Sequence, residues 1–235
     1  MTPFEGKIPI VSIHQSQYLP WFPYFKKVAM ADIFVVMDNV QYQKNGLQNR
    51  NKIRNHEGDF WLTIPVTGHL DDLILDKKIA NDSWKQKHWK SIKASYSKAP
   101  YWNMYKDPLE LLYEKKYFSL HEVNKNFFEF LLEMLCIRTK IVYLSELVAT
   151  GTKSDLVLSI CKELGASTYI TGTGGKSYLI ESDFEIENIK VEYIESISPE
   201  YTQYQGDFIP DLSIIDMLFN VDHAVINNRL RSKTQ

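Results

Sequence analysis

Two short apolar runs joined by a proline-opened helix, all within the first forty residues, constrain this chain more than any other feature. Ile8-Pro-Ile-Val-Ser-Ile13 and Asp32-Ile-Phe-Val-Val-Met-Asp38 lack the alternation of a half-solvated strand and suit strands buried on both faces. Between them, Pro20-Trp-Phe-Pro-Tyr-Phe25 opens a helix reaching about Ala31. Prolines are tolerated in a first turn because its N–H groups have no intrahelical partner. Strand, helix and strand in this order form a βαβ crossover, which places the strands in parallel. Further buried runs at 140–144, 167–171 and 190–194 extend the pattern. The expected fold is therefore α/β, a mainly parallel sheet with flanking helices.

The middle of the chain reads differently. Stretches 49–54 and 59–66 flank Asn55-His-Glu-Gly58, a hairpin signal, so a β-hairpin arm is expected near 49–66. Ser83-Trp-Lys-Gln86 and Ser119-Leu-His-Glu122 both have capping-box spacing. Leu120, Val123, Phe127, Phe128, Leu131, Leu132 and Leu135 then mark one helical face. With no linker or repeat in sight, the reading is a single α/β domain over 1–235 with a helical insertion near 83–136. Gly165 is the expected stop of a helix over 154–164.

Bulk properties narrow the function classes. The net charge is −2 with acids and bases interleaved, which argues against a nucleic-acid partner. No stretch reaches 18 apolar residues and residues 1–9 hold no apolar leader, so a cytoplasmic protein without a membrane span is expected. Cys136 and Cys161 lie on apolar helical stripes without metal-ligand spacing and read as core residues. No metal site is expected.

Polar chemistry concentrates in a few segments. His14-Gln15-Ser-Gln-Tyr18 follows the first strand beside a helix start, where an imidazole and amides could receive an anion. Functional groups in parallel sheets collect beyond the carboxyl ends of the strands, where Asp38 also falls. The loop from Asp38 to Lys52 holds Gln41, Tyr42, Lys44, Asn45, Gln48, Asn49 and Arg50 with almost no apolar interruption. Its bases could neutralise phosphates and its amides could read a sugar, against the plainer reading of a polar surface arm. Gly172-Thr-Gly174-Gly175-Lys176-Ser-Tyr178 follows a strand, and its backbone could approach a ligand closely, although a plain turn is as good an account. Asp211 and Ser213 look like helix-start residues, and His88 is either a cleft residue or an exposed helical histidine.

Together, His14-Gln15-x-x-Tyr18-Leu-Pro20-Trp21, Asp38-Asn-Val-Gln41-Tyr42-x-Lys44-Asn45 with Gln48-Asn49-Arg50-Asn51, Lys87-His88-Trp89, Gly172-x-Gly174-Gly175-Lys176-x-Tyr178 and Phe208-Ile-Pro210-Asp211-Leu-Ser213-Ile-Ile-Asp216 resemble the WbqC-like family. That resemblance implies a bacterial protein of O-antigen and lipopolysaccharide gene clusters, with a suggested role in adding an amino acid to an amino sugar. A more distant similarity is to adenylating α/β enzymes such as pantothenate synthetase. Those carry a His-x-Gly-His pair, whereas here His14 stands alone and the next histidine is His56.

The function expected is an acyl- or aminoacyltransferase acting on the amino group of a nucleotide-linked amino sugar. His14 is the candidate base, supported by Asp38. Gln15, Tyr18, Gln41, Tyr42, Lys44, Asn45, Gln48, Asn49, Arg50, His88, Gly172, Gly174, Gly175, Lys176, Tyr178 and Asp211 are the candidate binding residues. ATP or an acyl or aminoacyl donor would be the co-reactant. The alternatives are an ATP-dependent ligase and a non-catalytic sugar-nucleotide binder. A homo-oligomer stays open.

Overall fold

A computed structural model describes residues 8–69 and 71–232; residues 1–7, whose sequence suggested no leader, lie outside it. In chain order the strands and helices are β1 (Ile10–Gln15), α1 (Phe22–Met30), β2 (Ile33–Met37), β3 (Arg50–Asn55), β4 (Gly58–Thr63), β5 (Val66–Thr67) and β6 (Lys78–Ile79). Three helices follow: α2 (Ser83–Tyr96), α3 (Trp102–Glu114) and α4 (Leu120–Met134). The chain closes with β7 (Lys140–Tyr143), α5 (Lys153–Glu163), β8 (Thr168–Gly172), α6 (Glu181–Ile186), β9 (Lys190–Ile194), α7 (Ile214–Asn220) and α8 (His223–Arg231). These elements fall into two compact units.

The first unit comprises Met1–Gln15, Pro23–Asp38 and Arg138–Ser196. It is built on a five-stranded sheet in the order β7-β2-β1-β8-β9, with every pair parallel. β1 sits at the centre: Ser12 is opposite Phe34 of β2 on one side and Ile170 of β8 on the other. Val11, Phe34 and Val35 are fully buried, which explains why these strands read as unbroken apolar runs. Asp32 secures the start of the sheet, its carboxylate accepting the Ile10 N–H at 2.9 Å. Gly165 ends α5 as expected: it has φ +64°, and the Ala166 N–H reaches back to the Cys161 carbonyl.

The second unit comprises Ser16–Phe22, Asn39–Ile137 and Ile197–Gln235. Its β3–β4 hairpin pairs Arg50 with Thr63 and Asn55 with Gly58. The Asn55 side chain accepts the N–H groups of Glu57 and Gly58, and Gly58 takes φ +139°, so the Asn-x-x-Gly signal acts through a side-chain-stabilised turn. Helices α2, α3 and α4 bury Trp84, Tyr113 and Phe127 in one aromatic cluster with Tyr18.

Capping separates the two serine signals. Ser119 and Glu122 form the expected reciprocal box at the start of α4. Ser83 does not: it is the first helical residue, and Asn81 accepts both its N–H and its hydroxyl. The cysteines also separate. Cys161 is buried, but Cys136 is exposed. It lies past the end of α4 with φ +49°, the left-handed position of a helix stop, so extending the apolar stripe to it overran the helix. Among the described residues no helix is long and apolar enough to cross a membrane.

Candidate functional site

The sequence-derived site residues divide between the units. In the first unit, His14 and Gln15 end β1, Asp38 follows β2, and Gly172 ends β8. The register Gln15 to Met37 and Ser12 to Ile170 brings these strand ends to one edge of the sheet. The order β7-β2-β1-β8-β9 also reverses direction between β1 and β8, the position where open parallel sheets leave a crevice.

The side chains at this edge are largely engaged by the fold. Asp38 is fully buried, and its carboxylate accepts the Ser145 N–H at 3.0 Å and the Ser145 hydroxyl at 2.7 Å. It thereby ties the end of β2 to the turn Leu144–Glu146. His14 packs its ring edge-on to Tyr24 at 4.9 Å and places Nδ1 3.2 Å from the Gln15 carbonyl. Burial first, and then the Lys27 charge, pull its pKa from 6.5 to about 3, against the contact with the Gln15 carbonyl. Such an imidazole is neutral near pH 7 and a weak base. Lys27 is itself buried and drawn down to about 7 by desolvation.

The glycine loop forms a single 3-10 turn, Thr173–Ser177. A Cβ on Gly172 would lie 2.6 Å from Ser196 Oγ, and one on Gly175 would lie 2.9 Å from the Thr171 side chain. Close packing within the unit therefore accounts for Gly175, whereas the Ser196 hydroxyl beside Gly172 can turn away. Gly174 faces open space, and Lys176 and Tyr178 are exposed.

In the second unit, the amide-rich loop and the hairpin enclose a cavity of about 320 Å³. Tyr42, Lys44, Asn45, Asn49 and Arg50 line it, as the loop's composition suggested, together with Thr63 and the segment 64–68. The loop reaches this shape by turning several amides inward. Gln48 accepts the Gln43 N–H at 2.6 Å, and Asn49 donates to the Ile64 carbonyl at 2.8 Å. Asn45 takes φ +66° and completes the tight turn. Gln48, expected to read a ligand, is buried and holds backbone instead. Gln41 is exposed, pairing with Leu73 through its backbone.

The cavity is cationic. Its lining includes Lys44, Arg50 and Lys77 and, among the described residues, no carboxylate. Lys77 pairs with Asp72 at 3.3 Å and donates to the His69 carbonyl, and its Nζ lies 4.9 Å from the Tyr42 ring centre. Lys44 is exposed and makes no ion pair among the described residues. Arg50 donates to the Asn45 carbonyl and sits over the Trp61 indole, its guanidinium carbon 4.1 Å from the ring centre. The Arg50 Nε is buried without a hydrogen-bond partner, a condition that native structures rarely leave unexplained.

Three other expected binding residues are placed elsewhere. Tyr18 is fully buried and His88 nearly so, which removes the reading of His88 as an exposed helical histidine, and neither lines the cavity. Tyr18 Oη lies 3.0 Å from His88 Nδ1 and 2.6 Å from Tyr113 Oη, while His88 Nε2 lies 3.2 Å from the Thr63 carbonyl. One proton arrangement satisfies the whole chain: Nε2–H donates to Thr63, Tyr18 to Nδ1 and Tyr113 to Tyr18. Burial, offset by the Thr63 carbonyl, draws the His88 pKa to about 4, so the ring stays neutral. Asp211 is exposed with φ +60° and accepts from the Ser198 hydroxyl, while Ser213 alone caps α7.

The sequence reading passed over Lys77 and Trp61. Lys77 carries no local signal, being one of several charges in a polar stretch. Trp61 carries a faint one, a large aromatic at an outward position of the hairpin. Asp216, quoted in the last resembling segment but given no role, is fully buried, with Tyr96 and Tyr201 each donating to its carboxylate at 2.7 Å. Desolvation raises the pKa of that carboxyl despite both bonds.

Fold and site together define a parallel-sheet α/β protein bearing an amide- and cation-rich hairpin arm. A family model described as the WbqC-like protein family matches residues 15–228, and the chain belongs to that family. It is 31% identical over 215 residues to the uncharacterized protein Rv1507c of Mycobacterium tuberculosis (strain ATCC 25618 / H37Rv), covering 90% of this chain and 93% of that protein. No solved structure matches.

Proposed function

We propose that the chain binds a nucleotide-linked amino sugar through the second unit's cavity, with Lys44 and Arg50 receiving its phosphates. The observation that carries this reading is a cavity lined by cations, in which, among the described residues, Lys44 has no counter-charge and Arg50 Nε has no partner. A phosphate supplies what both groups lack, and a guanidinium matches its oxygens with paired donors. Tyr42 and Asn45 offer further polar contacts along the wall.

The reaction that fits such a ligand in this family is transfer of an acyl or aminoacyl group to the sugar amine. The attacking nitrogen must lose a proton and the carbonyl oxygen gains charge. With a pKa of about 3, His14 serves this chemistry better as a neutral hydrogen-bonding group than as the base. The same value favours a second reading, a sugar-nucleotide binder without turnover.

Titration calorimetry with nucleotide-linked amino sugars tests the binding. Each charge-assisted bond contributes about 1.5–3 kcal/mol, so Arg50→Ala or Lys44→Ala should weaken binding about ten- to a hundredfold. Unchanged affinity in both variants would return the loop to a surface arm. Mass spectrometry of the sugar after incubation with amino acid and ATP separates transferase from binder.

A further inference from the structure

We propose that Trp61 is the base-recognition residue of this site, stacking against the nucleobase of a nucleoside phosphate whose phosphates lie on Arg50 and Lys44. The inference rests on the anion-binding reading above and adds the part of the ligand that the cavity itself does not hold.

Trp61 stands on the outward face of β4, directly opposite Lys52 of β3. It is 41% exposed, which leaves much of a large apolar ring in water although core positions are available to tryptophan elsewhere in the unit. Its surroundings are not those of an idle surface residue. Arg50 covers it at 4.1 Å, and Lys52 Nζ lies 5.2 Å from the ring centre while pairing with Asp59 at 2.6 Å. Arg50 is also a cavity-lining residue, so the indole adjoins the mouth of the cationic pocket through a shared side chain.

That juxtaposition matches a phosphate joined to a flat ring. The guanidinium holds the charge, and the exposed indole offers a π-face to a base, which stacks whatever its identity. Inorganic phosphate or pyrophosphate would use the cations and gain nothing from Trp61. A sugar 1-phosphate would lack the aromatic ring.

Calorimetric titrations of wild type, Trp61→Ala and Trp61→Phe with uridine diphosphate, pyrophosphate and glucosamine 1-phosphate test this. Stacking of one base is worth about a five- to hundredfold change in affinity. Trp61→Ala should therefore lose uridine diphosphate by about that factor, change pyrophosphate and glucosamine 1-phosphate less than about threefold, and be largely rescued in Trp61→Phe. Equal losses for uridine diphosphate and pyrophosphate would overturn the proposal and leave Trp61 as a prop for Arg50. A loss confined to glucosamine 1-phosphate, or no loss at all, would overturn it too. In each case Arg50-dependent pyrophosphate binding would still stand. If wild type bound no pyrophosphate, the anion-binding reading would fail, and this one with it.

Discussion

The sheet edge of the first unit and the cavity of the second hold similar kinds of residue and use them in opposite ways. At the edge, a histidine, an aspartate and a glycine loop meet at three strand ends, yet the structure engages most of them itself. Asp38 holds Ser145, His14 leans on Tyr24, and Gly172 and Gly175 leave room for neighbouring side chains. Around the cavity, Asn49 and Gln48 are engaged in the same way, but among the described residues Lys44 has no ion-pair partner and the Arg50 Nε no hydrogen-bond partner. Polarity in a loop is thus a poor guide to ligand binding until the internal hydrogen bonds are assigned. What marks a binding group is a charge or donor that the fold positions and does not satisfy.

Substitution experiments can break this contrast, and the largest effect should come from acid. The folded pKa of His14 is about 3 against 6.5 when unfolded, so below pH 6.5 the unfolded chain takes up a proton that the folded chain refuses. The stability this site contributes is present above pH 6.5 and falls as pH drops toward 3. The loss is on the order of a few kcal/mol at about 1.4 kcal/mol per pH unit. Urea midpoints at pH 7 and pH 4 should therefore converge in His14→Gln, with His88 leaving a smaller residual slope. An identical slope in wild type and variant would show that His14 is protonated freely and is no part of the packed edge.

Asp38→Ala should come next. It removes both bonds to the exposed Ser145 and leaves a void at the buried Asp38 position, at a cost of about 3 kcal/mol, measurable by chemical denaturation. Gly175→Ala should cost about 1–3 kcal/mol through its contacts with Thr171 and Leu179, while Gly174→Ala, facing open space, should fall within about 0.5 kcal/mol. If Gly174→Ala abolished ligand binding at unchanged stability, the glycine loop would join the binding surface and the contrast would narrow. The smallest stability change is expected in the cavity. Lys44→Ala should lie within about 0.5 kcal/mol of wild type in denaturation while losing phosphate affinity. A large destabilisation there would mean that Lys44 serves the fold.

The backbone plan was legible because its signals are local. Buried parallel strands must be apolar on both faces, so the runs around Val11, Phe34 and Ile170 stand out without any knowledge of their partners. The Asn55–Gly58 turn, the Ser119 cap and the Gly165 stop are each decided within four residues. Ser83 failed by the same logic, since its competitor Asn81 lay just outside the spacing being read.

The site was legible as a list of residues but not as a division of labour. From sequence, Tyr18 and His88 looked as available as Lys44, and Gln48 as available as Arg50. Their fates depend on residues far along the chain: Tyr113 for Tyr18, Thr63 for His88, and the loop carrying Lys77 for the cavity itself. The sequence by itself determined where strands, turns and polar loops would form, since each rests on the steric and hydrogen-bonding preferences of neighbouring residues. Tertiary structure alone decided which polar groups were satisfied and which were left to bind. A hydrogen bond needs its partner within about 3 Å, and no periodicity records which distant carbonyl, ring or carboxylate the fold will bring that close.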